Sequence, residues 1–115
     1  MNDKTICFLD HAFKPRYLQI SSEKSQMIRI ESLKCTDKIT LYIPNDRNSN
    51  ITFEGECCRF CMASTSLVLT AINEKEVDFS NIDLSYIYKK FGLDMIAGKE
   101  ECCSLILKAL NYFTN

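Results

Sequence analysis

The chain has 115 residues, of which 46% are hydrophobic and 25% charged, with a formal net charge of −1 at pH 7. These values predict one small globular domain over residues 1–115 and exclude a disordered chain. The near-neutral charge gives no electrostatic footprint for nucleic acid, and no apolar stretch approaches the roughly 20 residues that span a membrane. The polar start carries no secretory signal pattern, so we expect a cytoplasmic protein.

The N-terminal half predicts one short helix followed by three strands. Asp37–Ile43 alternates apolar and polar residues, as expected of a strand with one packed face. The third strand is expected to end at Gly55. Short connections predict an antiparallel meander with one solvated face. The expected bounds are Thr5–Phe13 for the helix and Met27–Leu33, Asp37–Ile43 and Ile51–Glu54 for the strands.

The C-terminal half predicts helices. Cys58 to Asn73 contains neither proline nor glycine and is apolar nearly all round, which indicates a buried helix. Asp83–Phe91 is expected to form a second helix, ended by Gly92. A terminal helix is expected to begin at Cys102–Cys103. The predicted fold class is α+β, a three-stranded antiparallel sheet packed against a cluster of helices.

Seven cysteines stand out in a chain of this size. Six lie at three stations: Cys35, the Cys57–Cys61 cluster with three thiols, and the Cys102–Cys103 pair. An odd number with adjacent pairs fits a disulfide framework poorly. In a reducing compartment, such spacing more often means metal binding or thiol chemistry.

The stations jointly offer the donors of a tetrahedral metal site. Cys35 and Asp37 are two residues apart at the entry to a strand and therefore point the same way. Cys58 begins one predicted helix and either Cys102 or Cys103 begins another, and free N–H groups at such a position are expected to lower the thiol pKa. Three thiolates and one carboxylate suit Zn²⁺ or iron. Taken singly, each of these cysteines is more typical of a small buried core residue.

The sequence contains residues that could suggest two other kinds of chemistry. Cys58 and Cys61 form a C-x-x-C pair at a helix start, the arrangement of a thiol redox protein, but here it follows a meander rather than the first strand of a βαβ unit. His11 is the only histidine and is expected at the surface or in a cap. With no paired catalytic carboxylates and no phosphate-binding loop, no catalytic residue is predicted.

Four segments resemble one known family, in the same order along the chain. Residues 32–41 (SLKCTDKITL) are similar to its N-P-x-C-G-D-x-[IV]-x-[LI] segment, and residues 53–66 (FEGECCRFCMASTS) to F-x-G-x-G-C-x-I-[SA]-x-A-S-[AS]-S. Residues 102–105 resemble its third cysteine motif, and residues 10–16 its D-H-x-x-x-P-R element. The family is that of the iron–sulfur scaffolds IscU, SufU and the N-terminal domain of NifU.

The resemblance implies a SufE/NifU-like fold and a ligand set of Cys35, Asp37, Cys58 and Cys102. It implies a non-enzymatic scaffold on which a transient [2Fe–2S] cluster forms from iron and desulfurase-derived sulfur, with Zn²⁺ as the other occupant of the same site. The implied partners are a cysteine desulfurase and apo iron–sulfur client proteins, with no nucleic acid and no membrane. The alternative is a zinc-dependent sulfur-transfer partner of a desulfurase, in which Cys102 accepts the persulfide.

The chain departs from the family pattern at several positions. Thr36 and Cys57 stand where the pattern has glycines that precede ligands, and Tyr17 stands where it has asparagine. Glu101 precedes Cys102 where IscU has histidine and SufU often has lysine. The L-P-P-V-K chaperone motif is absent from the sequence. The pattern assigns no role to three further thiols, which we expect to be core or supporting residues: Cys57, Cys61 and Cys103.

Overall fold

The computed structural model describes residues 2–20, 24–34, 36–45 and 49–114, so the predicted ligand Cys35 lies outside the described residues. Its elements follow the predicted order of one helix, three strands and then helices. In chain order they are α1 Asp3–Phe13, β1 Lys24–Glu31, β2 Lys38–Pro44, β3 Thr52–Glu56, α2 Arg59–Asn73, a 3₁₀ turn Phe79–Asn81, α3 Leu84–Phe91, α4 Leu93–Ile96, α5 Glu100–Cys103 and α6 Leu105–Thr114.

The three strands form an antiparallel sheet in the order β1-β2-β3, which confirms the predicted meander and the α+β class. Leu41 of the central strand pairs with Ile28 on one side and Phe53 on the other. The expectation of one solvated face is wrong for β2, because Thr40 and Tyr42 on its predicted polar side are also buried. The Tyr42 hydroxyl donates to the Glu54 carboxylate of the neighbouring strand, so the flanking side chains cover this face.

β3 continues through Gly55, where the sequence predicted its end. Gly55 pairs with Ile39 of β2, and the ladder extends to the pair of Glu56 with Lys38. A Cβ atom at Gly55 would lie 3.3 Å from the sulfur of Cys57. The missing side chain therefore leaves room for the Cys57 sulfur as the chain turns toward α2.

The outer edge of β3 is covered by residues 17–19. The Phe53 N–H donates to the Tyr17 carbonyl at 2.9 Å, and the Gln19 N–H donates to the Phe53 carbonyl at 2.8 Å. Tyr17 adopts a φ of 65°, a left-handed conformation that asparagine tolerates better than tyrosine. This geometry gives a physical reason for the asparagine in the family pattern. The Tyr17 hydroxyl donates a hydrogen bond to the Glu74 carboxylate at 2.9 Å. Asparagine has no hydroxyl group that could make this bond.

α2 is the buried helix that the sequence predicts, and α1 packs across its middle. The small side chains of Ser64, Thr65 and Ser66 in the middle of α2 are fully buried. The surface position expected for His11 is wrong, because only 7% of this residue is exposed and its Nδ1 lies 2.7 Å from the Ser66 hydroxyl oxygen. The short side chains of α2 leave the space that the imidazole ring fills.

The predicted terminal helix is divided into α5 and α6 at Ser104. The Ser104 hydroxyl donates to the Glu101 carbonyl at 3.3 Å, a local bond of the kind that competes with helix continuation. α6 packs against β1 and β2, so its apolar side closes the core under the sheet, while α5 contacts the start of α2. Across the described ranges, we find no helix with the length and apolar content to cross a membrane.

Candidate metal centre

Three predicted ligands from three separate elements meet at one point. Asp37 lies directly before β2, Cys58 is the N-cap of α2, and Cys102 lies in α5. One carboxylate oxygen and the two sulfur atoms all lie within 4.8 Å of one another. Two thiols and a carboxylate are a donor set that fits Zn²⁺ or iron. The fourth predicted ligand, Cys35, lies outside the described residues.

The Asp37 carboxylate is held in a fixed orientation by the backbone and by Cys58. Only 5% of Asp37 is exposed, and its Oδ1 accepts a hydrogen bond from the Cys58 N–H at 2.9 Å. Its Oδ2 accepts from the Cys58 thiol at 3.2 Å. Because a cation takes the place of the thiol proton when a thiolate binds metal, this sulfur–oxygen pair faces the position that a shared ion needs.

The pKa of Cys58 is raised rather than lowered, contrary to the sequence-based expectation. Burial raises this pKa above its ordinary value, and the hydrogen bond to the Asp37 carboxylate raises it further. The Cys61 N–H and the Cys102 thiol act in the opposite direction, but they do not compensate. Desolvation and the Asp37 carboxylate therefore outweigh the N–H group at the start of the helix.

Cys102 experiences the same environment. Burial raises the pKa of its thiol, and both the Cys58 thiol and the Asp37 carboxylate raise it further. A negative charge on any one of the three groups makes a negative charge on the others less favourable. In the absence of a cation, the two thiols therefore stay protonated. A divalent cation supplies the compensating charge and favours release of those protons.

Contacts with α2, α3 and α6 hold α5 in place and so determine the position of Cys102. The Tyr88 hydroxyl of α3 donates to Glu100 at 3.1 Å, and the Lys108 ammonium of α6 lies 3.1 Å from the Glu101 carboxylate. The Lys99 ammonium lies 5.5 Å from the centre of the Phe60 ring of α2. Glu101, which departs from both branches of the family pattern, is thus paired within the C-terminal helices.

The three further thiols lie close to this site. Cys61 and Cys103 are fully buried, as predicted for core cysteines, and burial raises the pKa of Cys103 to about 11. The neighbouring Cys57 thiol and burial raise the pKa of Cys61 well above its ordinary value, whereas the Cys58 thiol donates to Asp37 at 3.2 Å.

The chain is similar to known proteins over most of its length. Residues 3–112 match the profile of the NifU-like N-terminal domain. The zinc-dependent sulfurtransferase SufU of Bacillus subtilis (strain 168) is 31% identical over 94 residues, which cover 80% of this chain and 60% of the relative. The chain thus spans about three fifths of the length of that relative.

Two solved structures share the fold. The SufU protein of Fervidobacterium islandicum AW-1 superposes with a TM-score of 0.71 at 20% identity, covering 92% of each chain. An N-terminal NifU-like protein from Brucella abortus gives a TM-score of 0.68 at 14% identity, covering 94% of this chain and 90% of that one. At these identities the similarity supports the α+β fold alone.

Proposed function

The chain belongs to the NifU-like N-terminal domain family, and on this premise we propose that it is a scaffold on which a [2Fe–2S] cluster is assembled and then transferred to apoproteins. The proposed ligands are Cys35, Asp37, Cys58 and Cys102, within one domain over residues 1–115. Iron and desulfurase-derived sulfur are the substrates, and a cysteine desulfurase and apo iron–sulfur proteins are the partners. The scaffold itself is proposed to be non-enzymatic.

The observation that carries this proposal is the convergence of Asp37, Cys58 and Cys102. Their donor atoms come from three elements and lie within 4.8 Å of one another. A chance cluster of buried thiols does not require a carboxylate, whose burial is costly unless it is paired. Asp37 is almost fully buried, and its two carboxylate oxygens accept hydrogen bonds from the N–H and the thiol of Cys58.

The donor set also suits a cluster that is bound and later released. Thiolates bind iron strongly, whereas a carboxylate is a harder and more exchangeable ligand. Cys58 and Cys102 are half-buried rather than enclosed, so a partner protein has access to the sulfur atoms. Asp37 is kept in place by the Cys58 N–H and therefore holds its orientation while a cluster is exchanged.

A second candidate function, zinc-dependent sulfur transfer, uses the same site. The SufU relative is named a zinc-dependent sulfurtransferase, and the three described donors fit Zn²⁺ equally well. In this alternative, Zn²⁺ when bound would stabilise the thiolate form of its ligands, and Cys102 would accept persulfide sulfur from a desulfurase. Cys102 lies in a four-residue helix bounded by Gly98 and Ser104, which separates it from the longer α6.

Anaerobic reconstitution with iron, cysteine and a desulfurase tests both candidates. A scaffold gives cluster absorption that is lost in Cys35→Ala, Cys58→Ala and Cys102→Ala and kept in Cys7→Ala, whose thiol lies on α1. If Cys58→Ala retains the full cluster content, the scaffold proposal is wrong. Tightly bound zinc after purification without oxygen, together with faster desulfurase turnover, identifies the sulfur-transfer alternative.

A further inference from the structure

We propose that the outer edge of β1 pairs with the same edge of a second copy of this chain, which joins the two sheets into one of six antiparallel strands. β1 lies at one end of the strand order β1-β2-β3, so about half of its backbone N–H and C=O groups point away from the sheet. The pairing uses none of the proposed metal ligands and does not depend on the proposed function.

The two edges of the sheet differ in what lies beside them. The edge of β3 is covered by residues 17–19 through backbone hydrogen bonds, whereas no backbone hydrogen bond between described residues joins β1 to a segment other than β2. β1 also lacks the features that usually prevent edge pairing, since residues 26–30 contain no proline and one charged side chain, that of Arg29. Its one irregularity lies between Lys24 and Gln26, so the rest of the ladder is regular.

A groove of about 410 Å³ runs along the uncovered edge of β1. It is lined by five consecutive residues of the strand and by one described side chain of α6, that of Tyr112. Tyr112 is 68% exposed and Met27, on the strand, is 57% exposed. α6 therefore leaves this edge open, and an added strand would cover apolar side chains as well as backbone groups.

Two-fold symmetry restricts how two copies of β1 pair. Residues directly opposite each other in an antiparallel pair lie on the same face of the sheet, and successive residues of a strand alternate between faces. A symmetric pair is therefore centred on one residue, which lies opposite itself in the second copy. In the regular stretch 26–31, a centre at Ile28 or at Arg29 pairs five residues of each copy, and any other centre pairs three or fewer.

Charge decides between these two pairings. A centre at Arg29 places two guanidinium groups directly opposite each other, which is unfavourable. A centre at Ile28 instead places Met27 opposite Arg29 of the second copy. Gln26 then lies opposite Ile30 of the second copy, so no like charges meet. The pairing centred on Ile28 is therefore the one that the residues of this edge favour.

This pairing leaves both candidate metal centres accessible. Asp37 lies beside the end of β1, where its carbonyl accepts a hydrogen bond from the Ser32 N–H at 2.9 Å. Because the two copies of β1 run antiparallel, the two Asp37 residues lie toward opposite ends of the interface. Each copy can therefore bind metal independently of the other.

Sedimentation equilibrium of the full chain tests whether the dimer forms. Samples of known metal content are measured up to about 1 mM, with a thiol reductant that prevents disulfide links, and again after metal removal. We expect a reversible monomer–dimer equilibrium with a dissociation constant of about 10–300 μM in both cases, because one strand edge is a small interface. A monomer at every concentration would overturn the proposal. So would a dimer that is lost on metal removal while circular dichroism shows the fold intact.

Opposite charges introduced at Met27 test the pairing itself. In the dimer, Met27→Glu places two carboxylates opposite the two Arg29 guanidinium groups, whereas Met27→Lys places two ammonium groups there. We expect the dissociation constant to fall about fivefold in Met27→Glu and to rise about fivefold in Met27→Lys. Leu93→Lys changes a similarly exposed apolar residue of α4, so it is the matched control and should leave the constant unchanged.

Amide hydrogen exchange gives a second readout that needs no variant. Raising the protein concentration should slow exchange in residues 26–30 of β1 and leave exchange in β3 unchanged, because the β3 edge is already covered. Slowing confined to segments other than β1 would overturn the proposal. Equal effects of the two Met27 variants, no effect of either, or effects in the reverse order would overturn the pairing centred on Ile28.

Discussion

His11 shows how one buried polar residue joins the N-terminal segment to the core. Its Nδ1 lies 2.7 Å from the Ser66 hydroxyl and 3.3 Å from the Arg16 guanidinium, which donates to it. The Arg16 backbone N–H donates to the same Ser66 oxygen at 2.8 Å. With donors directed at Nδ1, the neutral imidazole carries its proton on Nε2. The ring thus connects α1, the following loop and α2.

This arrangement predicts a pH-dependent stability. Burial, followed by the Arg16 charge, lowers the pKa of His11 from 6.5 to about 4. Because the unfolded chain then binds a proton more readily than the folded one, the stabilisation is complete above pH 6.5 and is lost as the pH falls toward 4. We expect the free energy of unfolding to fall by about 2 kcal/mol more between pH 7 and pH 5 in the unmodified chain than in His11→Gln.

Urea denaturation at the two pH values measures that difference. The glutamine variant retains a hydrogen-bonding side chain but cannot titrate, so carboxylates that respond to pH contribute equally to both proteins. Equal pH dependence in the two proteins would show that His11 is protonated as easily in the folded state as in the unfolded chain.

At the scale of elements, the short helix α5 determines the position of Cys102. It is bounded by Gly98, with a φ of +82°, and by the Ser104 break before α6. A Cβ atom at Gly98 would meet nothing within 4 Å, so an alanine there is opposed by backbone conformation and not by packing. Left-handed geometry costs an alanine about 1 kcal/mol or more relative to glycine.

We therefore expect Gly98→Ala to lower the free energy of unfolding by about 1 kcal/mol and to weaken zinc binding, because the turn that leads into α5 must shift. Lys89→Ala, an exposed change in α3, serves as the matched control and should alter neither quantity. Zinc titration and chemical denaturation of both variants supply the comparison. Unaltered zinc affinity in a destabilised Gly98→Ala protein would show that zinc binding does not depend on the position of α5.

The element boundaries also show where sequence patterns are insufficient. Gly55 is a usual strand terminator, yet β3 pairs through it because the ladder continues to Glu56 and Lys38. The apolar stripe of the terminal helix gives no sign of the division at Ser104, which depends on a hydroxyl bond to Glu101. By contrast, the end of α3 at Gly92 is confirmed, since its φ of 94° requires glycine.

At the scale of the whole molecule, the order of elements and the meeting of Asp37, Cys58 and Cys102 agree with the sequence-based expectation. Strand alternation and the ends of helices are local signals that predict the elements, whereas the choice of these three residues came from the resemblance of four segments to the family pattern. The burial of His11 against Ser66 was not predicted, because it depends on the space left by a small residue of another segment. That space exists only once the elements pack.

X-ray absorption of the zinc-loaded chain tests the central claim, that ligands from separate elements hold one metal ion. We expect a first shell of three sulfur atoms at about 2.3 Å and one oxygen at about 2.0–2.2 Å, and the loss of one sulfur in Cys102→Ser but not in Cys7→Ser. A shell of nitrogen and oxygen atoms alone, or a sulfur count that Cys102→Ser leaves unchanged, would contradict it.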